Sequence, residues 1–77
     1  MKQVMIVLGS VRDVKAFVSI AERFPGELDL VSGRYVVDAK SIMGIFSLEL
    51  GKPMRLDIHQ DDCQAFLTQI DRFLIKE

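Results

Sequence analysis

Lys40-Ser41-Ile42-Met43-Gly44-Ile45-Phe46-Ser47-Leu48 is the stretch that orders the rest of the chain. Ile42, Met43, Ile45 and Phe46 crowd together without strand alternation, and a serine stands in front of them where a helix N-cap belongs. This pattern predicts a helix of about two turns that opens at Ser41 and ends near Leu50-Gly51. Upstream, Leu28 and Leu30 alternate with Glu27 and Asp29, and Arg34-Tyr35-Val36-Val37 follows Ser32-Gly33, so two short strands joined by a tight turn precede the helix. Downstream, Met54, Leu56 and Ile58 alternate with Arg55, Asp57 and His59, which predicts a strand with one apolar and one polar face.

The same reading carries to both ends. Val4, Ile6 and Leu8 alternate with Met5 and Val7, which predicts a first strand apolar on both faces and therefore covered on both. After the Gly9-Ser10 break, Val14, Phe17, Val18, Ala21 and Phe24 place one apolar stripe on a helix over residues 11 to 24, and Pro25-Gly26 stops it. Cys63, Phe66, Leu67, Ile70, Phe73 and Leu74 form a stripe on a last helix, with Asp61 and Gln64 at capping-box spacing. The order βαββαβα predicts one α+β domain over residues 1 to 77: an open-faced sandwich of a four-stranded antiparallel sheet with three helices on one face.

Composition narrows the function classes. Ten basic and eleven acidic side chains give a net charge of -1, so diffuse attraction to nucleic acid or to an anionic membrane is not expected. The single Cys63 allows no disulfide within the chain, and the longest apolar run, Val4 to Leu8, is too short for a membrane span or a signal-peptide core; a cytoplasmic protein is expected. No Gly-rich phosphate loop and no zinc-spaced Cys/His set occurs, so neither an independent enzyme nor a cofactor or metal site is expected. His59 belongs to the outer strand face and Cys63 to the core. Strand exit and helix capping account for Asp57, Asp61 and Asp62 without a cation.

In the unbroken Lys40-Ser41-Ile42-Met43-Gly44, with Ser47-Leu48 following, and in its order of elements, the chain resembles HPr. HPr is the small phosphocarrier of the bacterial sugar phosphotransferase system, and the likeness is to its Gram-positive form. Phe24 before the hairpin, the Ser32-Gly33 turn and the acidic start of the last helix agree with it; Glu49 and Pro53 stand where glycines are usual. The family's active-site loop reads Gly-Leu-His-x-Arg-Pro. Laid on this chain without gaps, it puts Ser10 at the histidine, Arg12 at the arginine and Asp13 at the proline, and a shift of one residue puts Val11 at the histidine.

A histidine nitrogen takes and passes on a phosphoryl group near neutral pH; a serine hydroxyl is a weak nucleophile without a base, and its phosphate ester is a poor donor. The resemblance therefore implies a member of the Crh type, which lacks the histidine and keeps the serine. Ser41 is then the acceptor for a bifunctional HPr kinase/phosphorylase, and the phosphorylated form is the corepressor of a LacI-type catabolite control protein. Arg12, Lys40, Ile42, Met43 and Phe46 match the partner-contact positions. Two other readings stay open: a module that is never phosphorylated and docks on enzyme I or an enzyme IIA, and an atypical phosphocarrier. Assembly as a monomer or as a dimer exchanging its first strand is compatible with either. From the residues alone, Ser10 and Ser41 are N-caps, Ser10 with Asp13 at capping-box distance. The apolar residues after Ser41 are equally suited to the core, and Arg12 to a solvated surface.

Overall fold

A computed structural model describes residues 1–76, so the expected domain end at Glu77 lies outside the described residues. The elements are β1 (Lys2–Ile6), α1 (Val11–Arg23), β2 (Leu28–Ser32), β3 (Tyr35–Asp38), α2 (Ile42–Phe46), β4 (Met54–Ile58) and α3 (Gln64–Gln69), the last followed by a 3-10 turn, Asp71–Phe73. The strands form one antiparallel sheet in the order β1-β4-β2-β3. Alternation puts Ile6, Leu28, Leu30, Met54, Leu56 and Ile58 on the face that the helices cover, and each is essentially inaccessible to solvent.

The α1 stripe supplies Val14, Phe17, Val18 and Ala21 to that core. Phe17 meets Phe73 edge-on at 6.0 Å between ring centroids, and Phe24 lies tilted on Phe66 at 4.8 Å. Phe24 leaves the helix with extended backbone because the proline after it excludes the helical conformation. In the β2–β3 hairpin the two-residue loop Gly33-Arg34 has its positive φ, 59°, at Gly33 alone, the pattern of a type II′ turn whose twist suits the strands.

Four expectations change. The strand β1 ends at Ile6, and Met5 on its outer face is 43% exposed, because no second layer covers that face; Leu8 is buried beyond the strand end. The helix α2 is a single turn of five residues, closed by the Ser47 hydroxyl, which donates to the Gly44 carbonyl at 2.6 Å. The last helix is also short. Thr68 Oγ1 bonds back to the Gln64 carbonyl at 3.0 Å, and the chain tightens into the 3-10 turn, whose three-residue period still buries Ile70 and Phe73. Asp61 caps nothing with its side chain: the residue at the N-cap of α3 is Cys63, buried as expected, with no side-chain cap bond. The Asp61 carboxylate instead accepts from the Met1 ammonium at 2.9 Å, and this hydrogen bond and charge hold its pKa below the ordinary range.

Candidate functional site

Ser41 is the N-cap of α2. Its Oγ accepts from the Gly44 N–H at 3.1 Å, its carbonyl accepts from the Ile45 N–H at 3.0 Å, and its own N–H donates to the Asp38 carbonyl at 3.0 Å. The serine thus joins the end of β3 to the helix, half-buried, with its hydroxyl proton unassigned to any protein acceptor among the described residues. Gly44 eases this fit. A Cβ there would stand 3.3 Å from both the Ser41 Oγ and the Val37 Cβ, tighter than ordinary contact, so the glycine lets α2 sit down on β3.

The single turn divides its apolar residues sharply. Ile45 is fully buried and Ile42 packs partly against the core, whereas Met43 is 78% exposed and Phe46 is 38% exposed. Met43 and Phe46 therefore stand outside the core and Ile42 lies only partly within it, although the sequence suits all of them equally to it. The loop after α2 meets the chain just before α1, where the Gly51 N–H donates to the Leu8 carbonyl at 2.9 Å, and the two helices are in contact. At the start of α1 Arg12 is exposed and has no ion-pair partner among the described residues, and Val11 before it is exposed as well.

Lys40 reaches toward α1. Its ammonium donates to the Phe24 carbonyl at 2.5 Å, at the opposite end of α1 from Arg12, about 18 Å along the helix at 1.5 Å per residue. It neutralises the C-terminal end of α1 and so stands apart from Arg12.

Ser10 caps α1 in the way its spacing predicted. Its Oγ accepts from the Asp13 N–H at 3.1 Å, and Asp13 Oδ2 accepts from the Gly9 N–H at 3.2 Å, one residue before the usual capping-box donor. No histidine stands near it. His59 follows β4 at the far end of the sheet, about 17 Å of extended chain from Met54, and its Nε2 is 2.8 Å from Asp29 Oδ2. Beside it, Arg55 makes two hydrogen bonds to Asp57, at 2.8 and 3.1 Å; the hydrogen bond and charge of that carboxylate raise the guanidinium pKa. The His59–Asp29 pair could not be read from the sequence, because it depends on the register of β2 against β4, whereas Arg55 and Asp57 share one face of β4 by alternation. Among the described residues no group of His, Cys, Asp and Glu is placed to hold a metal ion, and no helix is long and apolar enough to cross a membrane.

Known proteins share this arrangement. HPr-C-His from Thermoanaerobacter tengcongensis superposes with a TM-score of 0.77 at 28% identity, covering 94% of this chain and 89% of that one. Crh, a catabolite repression protein of Bacillus subtilis described as a swapped, intertwined dimer, gives 0.65 at 27% identity over 92% and 88%. The phosphocarrier protein HPr of Bacillus anthracis gives 0.74 over 96% of each chain, at 23% identity a likeness of fold. None of the curated proteins matches the chain. The family model for the PTS HPr component phosphorylation site matches residues 10–75, from the cap of α1 to the segment that closes the sheet edge, and so the chain belongs to the HPr family of the phosphotransferase system, whose members are phosphocarriers and not enzymes and interact with the enzymes of that system.

Proposed function

We propose that this chain is a regulatory HPr-like protein that accepts a phosphoryl group on Ser41 and docks partner proteins through Arg12, Met43 and Phe46, with Ile42 behind them, and does not carry phosphate on a histidine. The observation that carries this reading is the pairing of a helix-capping Ser41 with an exposed Met43 and Phe46 on the same single turn. Phosphate on Ser41 adds about two negative charges and three acceptor oxygens next to that apolar surface. A partner that offers cations beside an apolar pocket gains both contacts at once. The modifying enzyme on this reading is an HPr kinase/phosphorylase, and the partner of the phosphorylated form a LacI-type catabolite control protein. Ser10 supports the same reading: its Oγ is engaged as the cap of α1, and the chain's one histidine, His59, has its Nε2 2.8 Å from Asp29 Oδ2.

Incubation with ATP and an HPr kinase, followed by mass spectrometry, is expected to add one phosphate, on Ser41, and none to the Ser41→Ala variant. Phosphate elsewhere, or none, defeats the proposal. A second reading, a module that docks on enzyme I or an enzyme IIA without modification, is favoured by one observation: the cap bond to Gly44 explains Ser41 without a phosphate. A pull-down that is indifferent to Ser41→Ala and Ser41→Asp would support it.

A further inference from the structure

The two edges of the sheet are treated differently. At the C-terminal end of β1 the outward-pointing backbone is met by the chain's own C-terminal segment: the Phe73 carbonyl accepts from the Val7 N–H at 3.0 Å, the Ile75 N–H donates to the Met5 carbonyl at 2.9 Å, and Leu74 bridges Ile6. The opposite edge, β3, is met by no extended segment among the described residues; only its end is occupied, where the Asp38 carbonyl accepts from the Ser41 N–H at 3.0 Å. Its register shows which groups are open. The Ala39 N–H donates to the Leu28 carbonyl at 2.9 Å, so by alternation Leu30/Val37 and Ser32/Tyr35 are hydrogen-bonded pairs, while Val31/Val36 and Asp29/Asp38 are not. The backbone N–H and C=O of Val36 therefore point away from β2, and neither has a protein partner among the described residues.

This edge is complementary to itself. If two copies of Arg34-Tyr35-Val36-Val37-Asp38 run antiparallel about Val36, Val36 opposes its own copy, Tyr35 opposes Val37, and Arg34 opposes Asp38 at both ends. Val36 and Asp38 share the open face of β3 by alternation, Arg34 stands in the turn just before it, and all three are exposed, Val36 at 63%. Arg34 has no ion pair among the described residues, and the Asp38 carboxylate accepts only from the Lys40 N–H of its own turn.

We propose that β3 is an interface at which two copies of this chain associate edge to edge, with reciprocal Val36 N–H to Val36 carbonyl bonds on the two-fold axis and an Arg34–Asp38 pair on each side. The self-complementary register selects a second copy over an unrelated extended segment, which would satisfy the backbone of Val36 but not both charges. The two-fold axis stands perpendicular to the sheet, so both α2 turns face the same way. Four residues of edge make a weak, rapidly exchanging dimer, different in kind from one that exchanges its first strand.

Sedimentation and backbone amide spectra of the full chain over roughly 10 μM to 1 mM test this. A concentration-dependent dimer is expected, with the largest amide shifts at Val36 and Asp38. Arg34→Asp and Asp38→Arg should each weaken it at least tenfold, on the order of 1.4 kcal/mol, and an equimolar mixture of the two should restore association, because both end pairs are then complementary. Val36→Pro removes a donor that the fold does not use and should abolish the dimer while the spectrum of the sheet is retained. A chain that stays monomeric over this range overturns the proposal. So does a dimer indifferent to Arg34→Asp and Val36→Pro, or a mixture that fails to associate.

Discussion

Ser10 and Ser41 make the same bond, each accepting from the backbone N–H three residues on at 3.1 Å, yet they hold different kinds of element. The helix behind Ser10 has thirteen residues and gives four side chains to the core; the turn behind Ser41 has five and gives one, Ile45. A helix of one turn has almost no stability of its own, so it is kept in place by Ile45, by the seat that Gly44 makes against Val37 and by its cap. The contrast separates what capping does from what burial does. In α1 the cap trims the end of an element that packing already secures, whereas in α2 it holds in place a surface whose apolar residues are left for something else.

The largest test of this contrast removes packing from α1. Phe17→Ala deletes a fully buried ring that meets Phe73 and should cost about 3–5 kcal/mol, seen as a lower urea midpoint with the slope unchanged. A loss below about 1 kcal/mol would mean that α1 is not the packed partner in the comparison. Next in size is Ser10→Ala, which should cost about 0.5–2 kcal/mol of global stability, because the cap it removes belongs to a helix that unfolds only with the core.

How much of this was legible in the sequence follows the same division. Alternation in Leu28–Leu30 and Met54–Ile58 and the α1 stripe were sufficient for the element order and the antiparallel sheet, since burial periodicity is local and additive. Helix length was not. The stripe from Cys63 to Leu74 is real as burial, but Phe66 to Ile70 is spaced by four and Ile70 to Phe73 by three, and the backbone follows by changing from α to 3-10. At the site, Ser41 as a cap was readable; which of the apolar residues after it stay outside the core was not, because that depends on how α2 seats on Val37. What Lys40 bonds to was not readable, for a similar reason. Its partner, the Phe24 carbonyl, is sixteen residues away in sequence and is set by the close of α1 at Pro25.

Ser41→Ala sharpens the contrast at a smaller scale. The lost cap bond should appear first as faster hydrogen exchange at the Gly44 and Ile45 amides, with a global loss of under about 1 kcal/mol, smaller than that of Ser10→Ala. Ser41→Asp keeps a capping oxygen and should recover most of this while still blocking phosphorylation. The pair of variants therefore separates the structural role of the serine from the signalling role. If Ser41→Ala unfolds the protein globally and Ser41→Asp does not rescue it, α2 is as structural as α1 and the comparison fails.

Met43→Ala carries the smallest expected effect on stability and the sharpest bearing on function. The side chain is 78% exposed, so its removal forfeits little burial and should move the urea midpoint by no more than about 0.5 kcal/mol either way. A half-buried Ile42 cannot be tested so cleanly, because a change there perturbs the core it touches. If Met43 is a docking residue, its truncation should weaken the complex of the phosphorylated protein with its partner by at least about tenfold, roughly 1.4 kcal/mol, as expected for a central apolar contact at an interface. Calorimetric titration beside the urea curve reads both quantities on one preparation. Unchanged binding with unchanged stability would leave Met43 without a role in either, and the apolar surface on α2 would have to act through Phe46 alone.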